Sequence, residues 1–255
     1  MITRRELEQL ARKQRLSLGN AEKDYLLDHI LATISKMNLV SLIFKGGTCL
    51  YKFYSLPRFS EDLDFSAGER FSIDEFIQKI IFELDKEGIS AQEIARKEPY
   101  NSVLITLRIK GPLFNHIPMS LASVGIDINF KSSVLLPTTQ LTYLSQYPKI
   151  GEISVPCMTQ EEIFAEKIRA LLSRKKARDL FDLYFLIEQG VSPPKQLFDE
   201  KMSYYNEPFS LVKLLKRIKE LKEIWEKEIS ALSRYAHSFE IVFVTVTQKL
   251  IELYS

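Results

Sequence analysis

Apolar side chains recur at helical spacing in two stretches at the start of the chain. Thr3 and Glu6 have the spacing of a capping box ahead of the first stretch, and a second run opening at Asn20 carries Leu26, Leu27, Ile30, Leu31 and Ile34. Two helices are predicted there. The apolar run Leu39 to Phe44 stops at Gly46-Gly47, and Thr48 to Tyr54 then reads as a helix, so strand, glycine turn and helix follow one another. Asp62-Leu63-Asp64-Phe65 alternates with period two, the pattern of a half-buried strand with both carboxylates on one face. Ser72 with Glu75 opens a helix that runs to Gly88, and Ser102 to Ile109 and Val124 to Phe130 read as two more strands. From Thr159, with Glu162 three residues on, the period is helical to the end of the chain. The predicted fold is α+β: residues 1–156 form a domain on a small mixed β-sheet with flanking helices, and residues 157–255 form a helical domain.

Composition narrows the function classes without choosing among them. With 255 residues, 45% hydrophobic and 27% charged, the chain can bury a core, and disorder is excluded. A net charge of +2 is too small to announce a nucleic-acid binder, so basic surface has to be sought locally. Cys49 and Cys157 lie far from each other and from any histidine cluster along the chain, which suggests neither a disulfide framework nor a zinc site. No apolar stretch approaches the roughly 18 residues of a membrane span, and a reducing cytoplasmic location is expected.

The chemistry concentrates at the aspartates. Like charges at i and i+2 on one strand lie about 6 to 7 Å apart, and a divalent cation relieves their repulsion. Carboxylate oxygens favour Mg²⁺ or Mn²⁺. Asp127, in the alternating run Gly125-Ile126-Asp127-Ile128-Asn129, is the expected third metal ligand, carried to the same face by an adjacent antiparallel strand. Upstream, Gly46 and Gly47 offer unobstructed N–H groups for phosphate oxygens, with the Thr48 hydroxyl beside them; a glycine pair alone reads equally as a tight turn. Arg58 and Ser60 either orient phosphates or, for Arg58, pair with Glu61 or Asp62.

The order Lys45-Gly46-Gly47-Thr48-Cys49-Leu50-Tyr51-Lys52, then Arg58-Phe59-Ser60-Glu61-Asp62-Leu63-Asp64-Phe65, resembles the DNA polymerase β-like nucleotidyltransferases and, more closely, the first motif of the AbiEii-type toxin family. Glu166-Lys167-Ile168-Arg169 followed by Arg178-Asp179-Leu180-Phe181-Asp182 is similar to that family's second motif. The resemblance implies metal-dependent transfer of a nucleotide from a nucleoside triphosphate. Asp62 and Asp64 would be the metal ligands, Lys167 the contact to the triphosphate, Asp182 the second functional acid, and Arg178 and Asp179 supporting residues. It also implies a toxin of a type IV toxin–antitoxin or abortive-infection system, with an RNA such as tRNA as acceptor and a cognate antitoxin as partner. In this reading the helical domain closes one side of the site. The rivals are transfer to a protein hydroxyl or a small molecule, and a protein that holds nucleotide without turning it over.

Two stretches are locally basic. Glu166 to Arg178 has six basic residues and one acidic, and Leu211 to Lys222 has five and one. Either is a candidate nucleic-acid footprint; the second reads equally as the wet face of a helix built on Leu211, Leu214, Leu215, Ile218 and Leu221. His29, His116 and His237 are scattered, and Trp225, Tyr204 and Tyr205 are expected in core packing, with base stacking as the alternative.

Overall fold

The computed structural model describes residues 1–68, 71–99, 102–130, 134–203, 209–230, 232–233 and 237–254. It is α+β, and it divides into two compact units. The first comprises Met1–Tyr54, Phe59–Ser133 and Thr138–Cys157; the second comprises Ser55–Arg58, Val134–Pro137 and Met158–Ser255. The short excursions at 55–58 and 134–137 have no counterpart in a division made at one point of the sequence.

The first unit runs α1 (Arg4–Gln14), α2 (Leu18–Met37), β1 (Leu42–Lys45), α3 (Gly46–Phe53), β2 (Leu63–Ala67), α4 (Ile73–Lys86), β3 (Ala91–Lys97), β4 (Ser102–Ile109), β5 (Ala122–Asn129), β6 (Thr139–Leu144) and β7 (Glu152–Cys157). The strands form one seven-stranded sheet in the order β3-β4-β5-β2-β1-β7-β6. It is mixed: β1 lies antiparallel to β2 and parallel to β7, and β2 lies parallel to β5. One face is apolar, because Phe44, Leu63, Phe65, Ile126 and Ile128 alternate inward and are fully buried. Phe44 meets Phe65 with ring centroids 5.0 Å apart, and Phe65 in turn meets Phe76 of α4.

Helix starts follow the capping chemistry with some changes. Thr3 and Glu6 form the full reciprocal box. The second helix opens at Leu18 and not at Asn20, because Ser17 is its cap and accepts from the Asn20 N–H. Ser72 caps α4 through Glu75 N–H. β3, β6 and β7 were not anticipated. β3 is an edge strand with a bulge between Glu93 and Ala95, which breaks the alternation a reader looks for, and β6, the other edge, is short and largely polar.

A buried charge cluster locks α3 to α2. Lys52 Nζ lies 2.7 Å from Asp24 and 2.6 Å from Asp28, with all three side chains almost wholly shielded from solvent. Tyr143 and Ser145 donate to Asp28 at 2.6 Å each, and Tyr147 donates to Asp24 at 2.9 Å. Burial pulls the Lys52 ammonium down, but the two carboxylates outweigh it and hold it well above the usual lysine range. Cys49 and Cys157, distant in sequence, meet in this core as free thiols; burial and then the hydrogen bond to Cys157 push the Cys49 thiol well up.

His29 stacks edge-on against Tyr25 at 4.5 Å, and burial pushes its imidazole down to about 4. Unfolded histidine titrates near 6.5. Its contribution to stability is therefore complete above about pH 6.5 and is lost as pH falls toward 4. An NMR titration of the imidazole should place its midpoint near 4 in the native protein; a midpoint near 6.5 would contradict the burial.

The second unit contains α5 (Gln160–Ser173), α6 (Ala177–Glu188), α7 (Lys195–Ser203), α8 (Leu211–Glu220), α9 (Lys222–Ile229) and α10 (Phe239–Tyr254). Thr159 caps α5 through Glu162 N–H, but the Glu162 carboxylate does not return the bond. It takes the N–H groups of Leu135 and Leu136 at 2.8 and 2.9 Å and the Lys201 ammonium at 2.6 Å. On α8, Leu214 and Ile218 are buried while Lys213, Lys216 and Lys219 are exposed, the arrangement of an amphipathic wet face. Trp225 packs between Phe181 and Phe239 and donates to the His237 carbonyl at 3.2 Å, so it is a core residue. Tyr204 and Tyr205 lie outside the described residues. Among the described residues no helix is long and apolar enough to cross a membrane.

Candidate active site

The three aspartates share the polar face of the sheet in the first unit. Asp64 pairs in register with Asp127 across the parallel β2–β5 ladder, and Asp62 precedes β2 by one residue on the same face. The neighbouring strand is thus parallel to β2, not antiparallel as the sequence suggested. Asp62 is exposed and Asp64 and Asp127 are half-buried, with Asp127 Oδ1 shielded from solvent.

Two glycines make room for these carboxylates. A Cβ on Gly125 would stand 2.6 Å from Asp62 Oδ1, and one on Gly46 would stand 2.2 Å from Asp64 Oδ2. Gly46 is doubly required, because its φ of +75° is a conformation that side chains disfavour. Asp64 leans toward Gly46 on the β1 side and Asp62 toward Gly125 on the β5 side, which separates two like charges on one face. Among the described residues no three of His, Cys, Asp or Glu converge closely enough to hold a metal ion. In chemistry, though, the donors are hard carboxylate oxygens on adjacent strands, the kind that Mg²⁺ and Mn²⁺ take, with Asp64 and Asp127 in register.

Gly46 and Gly47 begin α3, capped by Lys45 with no side-chain bond, so the first amides of the helix are not claimed by a capping side chain. Thr48 is fully buried. Its hydroxyl donates to the Asp62 carbonyl at 2.5 Å and lies 2.9 Å from the Ser60 hydroxyl, so Thr48 and Ser60 tie α3 to the segment that delivers Asp62. A cavity of about 540 Å³ in the same unit lies beyond the other end of β2, between Met37, Leu39, Gly68, Phe71 and Phe76, and includes none of the three aspartates.

The second motif forms its own closed charge network in the second unit. Lys167 on α5 lies 2.7 Å from Asp182 and 3.1 Å from Asp179 on α6. Arg58 grips Asp182 with Nε at 2.5 Å and Nη2 at 2.7 Å, and Arg174 grips Asp179 with Nε at 2.8 Å and Nη2 at 2.9 Å. Arg58, read from the sequence as orienting phosphates or pairing with Glu61 or Asp62, thus has a bidentate partner in Asp182. Burial raises both carboxylates, but Arg58 and Lys167 at Asp182, and Lys167 and Arg174 at Asp179, more than offset it and hold both below the usual range. These pairings stabilise the unit fully above about pH 4 and are lost as pH falls through the lowered values. Arg178 is half-buried on the same helix. Arg174 and Gly125 were missed in the sequence. Arg174 stands five residues before its partner across a helix break, while the Gly-x-Asp spacing of Gly125 and Asp127 was a readable signal.

The family model described as nucleotidyl transferase AbiEii toxin, type IV toxin–antitoxin system, matches residues 30–243. Among solved structures, MenT4, a nucleotidyltransferase toxin from Mycobacterium tuberculosis H37Rv, superposes with a TM-score of 0.62 at 20% identity over 99% of this chain and 90% of that one. JHP933 from Helicobacter pylori gives 0.58 at 19% identity over 94% and 93%. At these identities the likeness is one of fold. No curated protein matches the chain.

Proposed function

Because the chain belongs to the AbiEii family of nucleotidyltransferase toxins of type IV toxin–antitoxin systems, we propose that it transfers a nucleotide from a nucleoside triphosphate to a hydroxyl of an RNA such as tRNA, using a divalent metal ion held by Asp62, Asp64 and Asp127. The observation that carries this reading is the register of Asp64 with Asp127, with Asp62 on the same face against Gly125. A bound Mg²⁺ or Mn²⁺ would neutralise triphosphate charge and acidify the attacking hydroxyl.

The remaining work falls to the chain's own groups. The Gly46 and Gly47 amides at the start of α3 take triphosphate oxygens, and Thr48 and Ser60 keep that turn aligned with Asp62. Asp127, on the β5 side, receives the acceptor hydroxyl and takes its proton. In-line attack on the α-phosphorus forms the new phosphodiester and expels pyrophosphate. In the second unit the buried pairs of Lys167 with Asp179 and Asp182 hold α5 to α6, with Arg58 on Asp182. A cognate antitoxin is the expected regulatory partner.

The test is incubation with each α-labelled nucleoside triphosphate and Mg²⁺, in the presence of total RNA or total protein. Label in RNA is the expected result. Label confined to protein would reassign the acceptor, and no label in either would leave a nucleotide-binding protein without turnover.

A further inference from the structure

Strand order separates the two flanks of the aspartate face. The glycine turn Gly46-Gly47 follows β1 on one side of β2, while β5, β4 and β3 extend from the other side. In-line displacement needs the leaving pyrophosphate and the attacking hydroxyl on opposite sides of the α-phosphorus. With the triphosphate at the glycine turn, the acceptor approaches over β5, β4 and β3.

What faces the acceptor there follows from register. Asp127 pairs with Leu104, and Leu104 with Lys97, so Asp64, Asp127, Leu104 and Lys97 form one row across four strands. Gly125 pairs with Thr106, and Ser123 pairs with Arg108, in the next rows along. Paired residues point to the same face of a sheet, so all of these share the aspartate face. Leu104 is a large apolar side chain left 38% exposed directly beside Asp127. Lys97 is exposed, and neither it nor Arg108 has a carboxylate partner among the described residues. Among the described residues Arg108 donates to the Pro118 carbonyl at 3.5 Å, the outer limit of hydrogen bonding, and its Nε is shielded without a partner. By strand spacing Lys97 lies roughly 10 Å from Asp127 and Arg108 roughly 14 Å. Elsewhere on this sheet, Arg96 is committed to Asp74 and Glu93.

Resting on the reading above, we propose that the outward face of β4 and β3 is the acceptor platform, and that it takes the single-stranded 3′ end of a polynucleotide. Leu104 supports the terminal nucleoside beside Asp127, and Lys97 and Arg108 hold the phosphates that precede it. Two cations set back from the reacting acid by one to two nucleotide lengths match a phosphodiester chain. A small-molecule acceptor has no use for them.

The probe is a short fluorescein-labelled oligoadenylate with a free 3′ hydroxyl, titrated by anisotropy at several salt concentrations. Lys97→Ala and Arg108→Ala should each weaken binding several-fold and lower the slope of log affinity against log salt by about one. Lys97→Arg and Arg108→Lys should keep the slope. Melting temperature and the KM for the nucleoside triphosphate should not change in Lys97→Ala, a solvent-exposed site, so loss of folding cannot imitate the effect. Unchanged oligonucleotide affinity and slope in both alanine variants overturn the platform while leaving nucleotidyl transfer to RNA intact. Transfer of label to protein alone by the unaltered enzyme overturns the acceptor class, and the platform with it.

Discussion

Asp64→Asn is expected to lower kcat about a thousandfold, because a Lewis acid at the transferring phosphoryl group contributes several kcal/mol of transition-state stabilisation and this substitution removes one of its ligands. Asp62→Asn should behave alike, and both should abolish growth inhibition. The fold should persist, because each substitution is isosteric. Steady-state rates with a labelled nucleoside triphosphate, measured beside thermal melts, check both halves. A variant that folds and keeps the full rate removes the aspartates from the chemistry.

The second large effect concerns the scaffold under the glycine turn. Lys52→Met leaves Asp24 and Asp28 buried without their cation, a loss of about 3 to 5 kcal/mol and a fall in Tm on the order of 10 °C. Neutralising the whole cluster, in Lys52→Met with Asp24→Asn and Asp28→Asn, should recover most of that loss, because no uncompensated charge then remains. Calorimetry of the two variants distinguishes a charge effect from a packing effect. A single variant that melts within a degree or two of the parent would show that the ion pairs contribute little.

Both predictions depend on features that differed in how readily the sequence disclosed them. The strand carrying Asp62 and Asp64 was readable, because alternation with period two places both acids on one face and Leu63 and Phe65 on the other. So was Asp127, between Ile126 and Ile128. Its strand direction was not, because hydrophobic alternation is identical in parallel and antiparallel neighbours and only the connections distinguish them. The Lys52 cluster was hidden for a different reason. Asp24 and Asp28 are spaced i, i+4 on α2, which on most helices is solvated surface; here that side of the helix is buried against Tyr143 of β6 and Tyr147 just beyond it, more than a hundred positions away. Lys167 was read as a phosphate contact from its motif, and the fold gives it two carboxylate partners that the motif's spacing alone did not pair. Arg58 read either as a residue that orients phosphates or as a partner of Glu61 or Asp62, whereas the fold pairs it with Asp182, 124 residues away.

The central claim is that Asp62, Asp64 and Asp127 serve the transfer of a nucleotide and not of a phosphate. One paired experiment addresses it most directly: the enzyme, Mg²⁺ and total RNA are incubated with a nucleoside triphosphate labelled either at the α- or at the γ-phosphate. The account predicts label in RNA from the α position only, with pyrophosphate released and no incorporation by Asp64→Asn. Label arriving from the γ position, or α-label incorporated equally by Asp64→Asn, would contradict it.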